Sequence, residues 1–183
     1  MIIETERLIL RQWKNSDIEP FIQLNLDTET MKFFPSTYGR EVSEKLIERE
    51  RERIKQDDIG LLAVEVKETG EFIGFIGLGR PAYETPFTPC TEIGWRIYRD
   101  FWGKGYATEG ARSVIEFAFT ELGLEEVVSF TSKLNKPSIR VMEKIGMKRD
   151  LGGDFDHPMV DDGDKLKRHV LYRIKKDDAM RLL

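Results

Sequence analysis

The chain has 183 residues, with 29 basic and 33 acidic side chains and a formal net charge of −4. Its 40% hydrophobic and 34% charged residues suit one globular domain over residues 1–183 and exclude a disordered or collagen-like chain. The slightly acidic balance, without a basic block, excludes nucleic acid as an expected ligand. Cys90 is the sole cysteine, so there is no internal disulfide, and no Cys/His cluster has zinc spacing. Charge follows Met1-Ile2-Ile3 at once, and no apolar run approaches bilayer length, so a cytoplasmic protein with no metal and no membrane contact is expected.

In chain order, Arg7 to Gln12 alternates as a short strand. Ser16 and Glu19 have capping-box spacing, which predicts a helix start with Ile18, Phe21, Ile22 and Leu24 on its apolar side. Phe33-Phe34-Pro35 reads as a loop. Ser43 to Asp57 is a densely charged helix with a thin stripe of Leu46, Ile47 and Ile54, extended by Val42, and the rest solvated. Strands follow over Leu61–Val66 and Glu71–Leu78 with a turn at Thr69-Gly70. Tyr83 to Cys90 is a proline-rich loop, and Thr91 to Tyr98 is another strand. Thr108 to Leu122 carries Ala111, Val114, Ile115, Ala118 and Phe119 at helical spacing, with Gly123 at its stop. Glu126–Thr131 reads as a buried strand and Pro137–Ile145 as a short helix. Met147–Phe155 and Leu166–Ile174 are closing strands around an acidic loop. A meander followed by one β-α-β unit gives an α+β class with a partly parallel central sheet.

The segment Trp102-Gly103-Lys104-Gly105-Tyr106-Ala107-Thr108-Glu109 joins a strand to an amphipathic helix. The first N–H groups of a helix have no intrahelical partner, and glycines let an anion approach them closely. Gly103, Lys104, Gly105, Tyr106, Ala107 and Thr108 therefore form a candidate pyrophosphate cradle. A plain helix start with a glycine turn is the competing reading. A dinucleotide fingerprint lacks its third glycine, since Thr108 stands there, and a P-loop lacks its Gly-Lys-Ser/Thr. Beyond the next strand, Asn135-Lys136-Pro137-Ser138 opens another helix. Asn135 and Ser138 are either hydrogen-bonding groups for a peptide-like ligand arm or helix caps.

Together the two segments resemble the GNAT acetyltransferase superfamily, closest to the branch with the bacterial ribosomal-protein N-terminal acetyltransferases. Thr5-Glu6-Arg7-Leu8-x-Leu10-Arg11 is similar to that branch's opening, and Ile73-Gly74-x-Ile76-Gly77 to its third strand. The resemblance covers nearly the whole chain. It implies a mixed sheet of about seven strands flanked by about four helices, with a V-shaped split between strands 4 and 5, here Thr91–Tyr98 and Glu126–Thr131. It implies acetyl-CoA as co-substrate, its pyrophosphate on the glycine turn and its pantetheine paired to backbone near Ile97 and Tyr98. Asn135 and Ser138 match the second coenzyme motif. Two positions depart from the family: Trp102 replaces a basic or amide residue, and Met142 replaces a tyrosine that protonates the leaving thiolate.

The reaction implied is direct attack of a primary amine on the thioester. Glu92 matches the branch's usual glutamate and is the candidate base; a solvent-facing or Arg96-paired strand residue is its alternative. Backbone N–H groups of Ile93 to Trp95 are candidate oxyanion donors, and Ser138 is the candidate proton donor to sulfur. About 10% of an α-amine is neutral at pH 7, against under about 0.1% of a lysine amine, so a protein N-terminus needs the weaker base. The acceptor class spans N-termini and small-molecule amines, and the protein is a monomer or homodimer. A non-catalytic coenzyme-binding module is the alternative on the same fold. His157, among Asp150, Asp154, Asp156, Asp161, Asp162 and Asp164, is read with a solvated acidic loop, and His169 as structural. Trp13, Phe33, Phe34 and Trp95 line an acceptor cleft or fill the core.

Overall fold

A computed structural model describes residues 2–181; Met1 and the last two residues lie outside it. Alternating apolar residues build one sheet from β1 (Ile3–Glu4), β2 (Leu8–Arg11), β3 (Leu61–Val66), β4 (Phe72–Gly79), β5 (Glu92–Ile97), β6 (Glu126–Ser132), β7 (Lys148–Asp156) and β8 (Arg168–Lys175). The helices are α1 (Ile18–Leu26), α2 (Arg40–Asp57), α3 (Tyr106–Thr120), α4 (Lys136–Lys144) and the short α5 (Lys176–Ala179). Strand order is β1-β2-β3-β4-β5-β6-β8-β7, antiparallel except for β5 and β6. The α+β architecture is the expected one. β1 and α5 are additional, too short to leave a periodic signal.

The core fills between α3 and the sheet. Val114, Ile115, Ala118 and Phe119 are buried along one face of α3, and each of the larger three contributes about 1.5–3 kcal/mol by leaving water. Gly110 lets that helix sit close to the sheet. A Cβ there would meet Ile76 Cδ1 at 2.5 Å, with Leu8 and Leu10 just beyond. On the opposite face, α1 packs Phe21 against Trp13 with ring centroids 4.9 Å apart, and Phe72 lies beside both. Trp13 is therefore a core residue.

Two local expectations give way to tertiary contacts. Ser16 and Glu19 form no capping box; a 3-10 turn over Asn15–Asp17 precedes α1, and Asp17 accepts the Lys14 N–H at 2.7 Å. Asp17 wins because its carboxylate also pairs with Arg11, and Glu19 pairs instead with Arg40. The charged helix α2 is not solvated throughout. Glu50 is fully buried in it, pairing with Arg49 at 2.9 Å and Arg53 at 3.4 Å and accepting the Leu61 N–H at 3.0 Å. Ser43 is buried too, accepting from Asn25 Nδ2 at 2.9 Å, while Val42 stays exposed.

β5 and β6 meet only at one end. Their pairing has one bridge, Glu92 with Val128. The Val128 N–H donates to the Thr91 carbonyl at 3.0 Å, and Ser129 Oγ donates to the Ile93 carbonyl at 2.9 Å. Past that point the ladder stops, which opens the sheet.

Candidate active site

The split is lined by backbone. Antiparallel pairing alternates the direction of N–H and C=O groups along a strand. The Tyr98 N–H donates to the Ile73 carbonyl at 2.9 Å, so residues 92, 94, 96 and 98 turn these groups toward β4. Ile93, Trp95 and Ile97 turn theirs toward the split. Ile93 is engaged at the β6 bridge, and the Ile97 carbonyl accepts from the Trp102 indole N–H at 2.6 Å. The Trp95 N–H and C=O and the Ile97 N–H are left facing the gap. Tyr98 thus lies just past β5 with its N–H already used, and Trp95 joins Ile97 as a residue with backbone groups facing the gap. Trp102 opens the glycine turn with its indole resting on a strand carbonyl.

At the end of β5 the chain turns sharply. Gly103 (φ 74°) and Gly105 (φ 83°) take backbone conformations that side chains disfavour, and they aim the first N–H groups of α3 outward. No side chain caps Gly105, so the N–H groups of Tyr106, Ala107 and Thr108 stay available at the positive end of the helix dipole. Space above Gly103 is open. The turn is braced from the chain's start. Arg7 donates to the Lys104 carbonyl at 2.9 Å and to Glu109 at 2.7 Å, and stacks 4.7 Å over the Tyr106 ring. Glu109 also accepts from Thr5 Oγ1 at 2.6 Å and from the Arg7 N–H at 2.8 Å. These contacts explain why the opening motif and the turn occur together.

Asn135 and Ser138 engage each other at the start of α4. Asn135 Oδ1 accepts the Ser138 N–H at 3.3 Å, and its Nδ2 donates to Ser138 Oγ at 3.1 Å and Thr131 Oγ1 at 3.0 Å. Asn135 is therefore a helix cap here, and Ser138 keeps its hydroxyl proton free to donate. Met142 is buried in the core.

Glu92 is half-buried at the closed end of the split. Burial pushes its pKa up to about 7, Glu50 adds to the rise and Arg53 opposes it. A Cβ on Gly79, its partner in β4, would lie 3.4 Å from Glu92 Oε1. Arg96 does not pair with Glu92. Its guanidinium is stacked 4.2 Å over Phe34, with Tyr38 and Phe75 within 5.3 Å, and donates to Asn25 Oδ1 at 2.6 Å. Phe34 is thus part of a cage around Arg96.

A second wall was not foreseen. Tyr83, Phe87, Phe130, Phe155, His157 and His169 stack together, with the two imidazoles 4.7 Å apart. His157 Nδ1 accepts the Met159 N–H at 3.2 Å, so Nε2 carries the proton and donates to Tyr83 Oη at 2.9 Å. Burial pulls His157 down to about 4, helped by His169 and Lys167, and lowers His169 as well, so both rings are neutral at pH 7. Burial raises the Tyr83 phenol, and Glu92 and Cys90 add to the shift. Burial likewise holds the Cys90 thiol up at about 11, with Glu92 raising it further, so Cys90 is no nucleophile. His157 therefore belongs to an aromatic cluster and not to a solvated loop. Asp150, Asp154 and Asp156 lie on β7, paired with Arg173, Arg149 and Arg168. Among the described residues no group of three or more His, Cys, Asp or Glu side chains is placed to hold a metal, and no helix is long and apolar enough to cross a membrane.

A depression of about 770 Å³ lined by Arg11, Lys14, Glu65, Phe101 and Lys104 includes neither Glu92 nor a split-facing group. The chemistry-bearing groups lie along β5 instead.

This arrangement has clear relatives. A profile described as acetyltransferase (GNAT) domain matches residues 7–148. YnaD of Bacillus subtilis (strain 168), described as an uncharacterized N-acetyltransferase, is 30% identical over 150 residues, covering 82% of this chain and 84% of its own. The FsC-acetyl coenzyme A-N(2)-transacetylase of Aspergillus fumigatus is 36% identical over 121 residues, 62% of this chain and 49% of that protein. The crystal structure of a GNAT-family acetyltransferase from Bacillus anthracis superposes with a TM-score of 0.80 at 26% identity, covering 97% of this chain and 99% of the other. Mycobacterium smegmatis RimJ, solved in complex with CoA-disulfide, shares the fold at a TM-score of 0.75 and 18% identity, over 96% and 87% of the two chains. A sheet split beside β5, a glycine turn opening α3 and a match across most of the length lead to one conclusion: the chain belongs to the GNAT acetyltransferase family and is an acyltransferase.

Proposed function

We propose that the protein moves an acetyl group from acetyl-coenzyme A to a primary amine, with Glu92 as general base. The observation that carries this reading is a carboxylate with a pKa near 7 at the closed end of a strand gap whose other end is a glycine turn with uncapped helix N–H groups. The residues present fit the donor. The N–H groups of Gly103 to Thr108 suit its pyrophosphate, the Trp95 and Ile97 groups suit amide pairing, and Asn135 and Ser138 stand at the mouth. When bound, the donor supplies a thioester activated toward amines.

Glu92 takes the proton the amine loses as its new C–N bond forms. The Trp95 N–H offers a hydrogen bond to the oxygen on which charge builds. Ser138, with its hydroxyl proton unused, passes that proton to the sulfur as the C–S bond breaks and takes one from solvent in the same movement. A pKa near 7 suits the base to an α-amine, which is already partly neutral there. The ribosomal-protein branch, whose acceptors are protein N-termini, is the favoured subclass on the motifs Thr5 to Arg11 and Asn135 to Met147. The Aspergillus fumigatus relative, named for transfer to an N(2) nitrogen, gives parallel support for an α-amine.

Thiol release from acetyl-coenzyme A across a panel of amines tests the reading. Amine-dependent release that rises as pH passes 7 is the expected result. Tight binding of acetyl-coenzyme A with no release for any amine would favour the non-catalytic alternative.

A further inference from the structure

Glu92, Gly94 and Arg96 alternate along β5 and so project from one face of the sheet, the face covered by α1 and α2. Above Gly94 there is open space: a Cβ built there would meet nothing within 4 Å. On one side of this slot stands Glu92. On the other stands Arg96, 7% exposed, with no carboxylate partner among the described residues. Its Nη1 is held by Asn25, while Nε, the nitrogen nearest the strand, is buried with no hydrogen-bond partner. A buried N–H without an acceptor costs roughly 1–3 kcal/mol, and an uncompensated buried cation costs more. Burial accordingly lowers the Arg96 pKa to about 10, which still leaves it charged at pH 7.

We propose that the slot over Gly94 receives an acceptor of the form amine–carbon–carbonyl, with the amine at Glu92 and the carbonyl-type oxygen on Arg96 Nε. This rests on the acetyl-transfer reading above and narrows it to α-amino acyl compounds. The Cα atoms of Glu92 and Arg96 lie roughly 13 Å apart along the strand. Two hydrogen bonds of about 2.9 Å and one amino-acyl backbone span most of that length, and the Glu92 arm, free to change rotamer, closes the rest toward the fixed Arg96. Phe34 and Tyr38 hold the guanidinium flat, so its Nε direction is fixed before the acceptor arrives. The oxygen belongs either to a free carboxylate or to the first carbonyl of a peptide, and both present the same acceptor to Nε.

Matched trios of acceptors test the proposal: phenylalanine, phenylalaninamide and 2-phenylethylamine, compared at equal free-amine concentration with acetyl-coenzyme A saturating. The expected result is a kcat/KM for 2-phenylethylamine lower by about 10- to 100-fold than for the better of the other two. Preference for the acid identifies a free amino acid, and preference for the amide identifies a peptide N-terminus. Calorimetric titration of the same three into coenzyme A-loaded protein should give the same ranking without turnover. Arg96→Lys keeps the charge and removes Nε, and should erase the ranking while leaving coenzyme A affinity unchanged. Equal values for all three compounds in the wild-type protein overturn the proposal and leave acetyl transfer intact. Absence of release with every amine overturns the acetyl-transfer reading itself. Should Arg96→Lys fail to fold, the wild-type ranking decides alone.

Discussion

Two arginines on one sheet, Arg11 on β2 and Arg96 on β5, are equally hidden, each 7% exposed, yet their surroundings are opposite. Arg11 is gripped by Asp17 at 2.7 and 3.0 Å and by Glu65 at 2.8 Å. Burial opposes its charge, but those carboxylates outweigh burial and raise its pKa. Arg96 has an amide and three aromatic rings, and burial wins. The glutamates follow the same division. Burial acts to raise Glu65, but bonds from Arg11 and Lys14 hold it below its usual range, whereas Glu92 is pushed up to about 7. One region is a completed ionic strut. The other keeps an acid and a cation without a mutual partner, which is the condition in which they can act on something else.

The comparison breaks most sharply at Glu92. Glu92→Gln should lower turnover by about 10²- to 10⁴-fold with acetyl-coenzyme A affinity little changed, measured by thiol release and calorimetry. The stability sign is also fixed. The folded carboxyl binds its proton more tightly than the unfolded one, so stability falls as pH rises from about 4.5 through about 7. Glu92→Gln should remove that slope in denaturant titrations at pH 5 and 8, and an unchanged slope would show that Glu92 is not the buried acid.

The strut gives the next largest effect. Asp17→Ala removes both Asp17 bonds to the buried Arg11 guanidinium, leaves it Glu65 alone, and should cost on the order of 3 kcal/mol in urea unfolding. Arg96→Met strands no carboxylate and should cost under about 1.5 kcal/mol, so equal losses would erase the distinction between the two arginines. Arg7, exposed and braced against the turn, adds a third case. Arg7→Ala frees the Lys104 carbonyl and takes the guanidinium from Glu109, which keeps its Thr5 and backbone bonds, and should weaken acetyl-coenzyme A binding about tenfold with little loss of stability. Smallest is Trp102→Phe, which releases the Ile97 carbonyl. Acetyl-coenzyme A should bind about 2- to 10-fold more tightly if that carbonyl serves the pantetheine, and an unchanged dissociation constant assigns the indole a purely structural part.

Sequence carried the features whose physics is local. The turn at Gly103 and Gly105 was legible because a tight strand-to-helix turn needs positive φ, which glycine takes without strain. The α3 face was legible because burial imposes a 3.6-residue period. Glu92 was found through its motif, while its raised pKa depends on Glu50 and Arg53 from a different helix. The cap at Ser16 was misread because Arg11 draws Asp17 inward, a contact no local spacing announces. The cage around Arg96 joins segments 71 residues apart, and Tyr83 meets His157 across 74. No periodic signal links such loops, so their shared face emerges only on folding.

An interrupted sheet also exposes the chain to its own kind. Unpaired rungs inside a fold are templates for a stray strand from a neighbouring molecule. Ser129 covers the Ile93 carbonyl and Trp102 covers that of Ile97, so on the β5 lip the bare stretch shrinks to Trp95 and a single amide beside it. That lip offers too few bare rungs to seed edge-to-edge aggregation. Side chains that bar an intruder there also fix how short a guest the opening will admit.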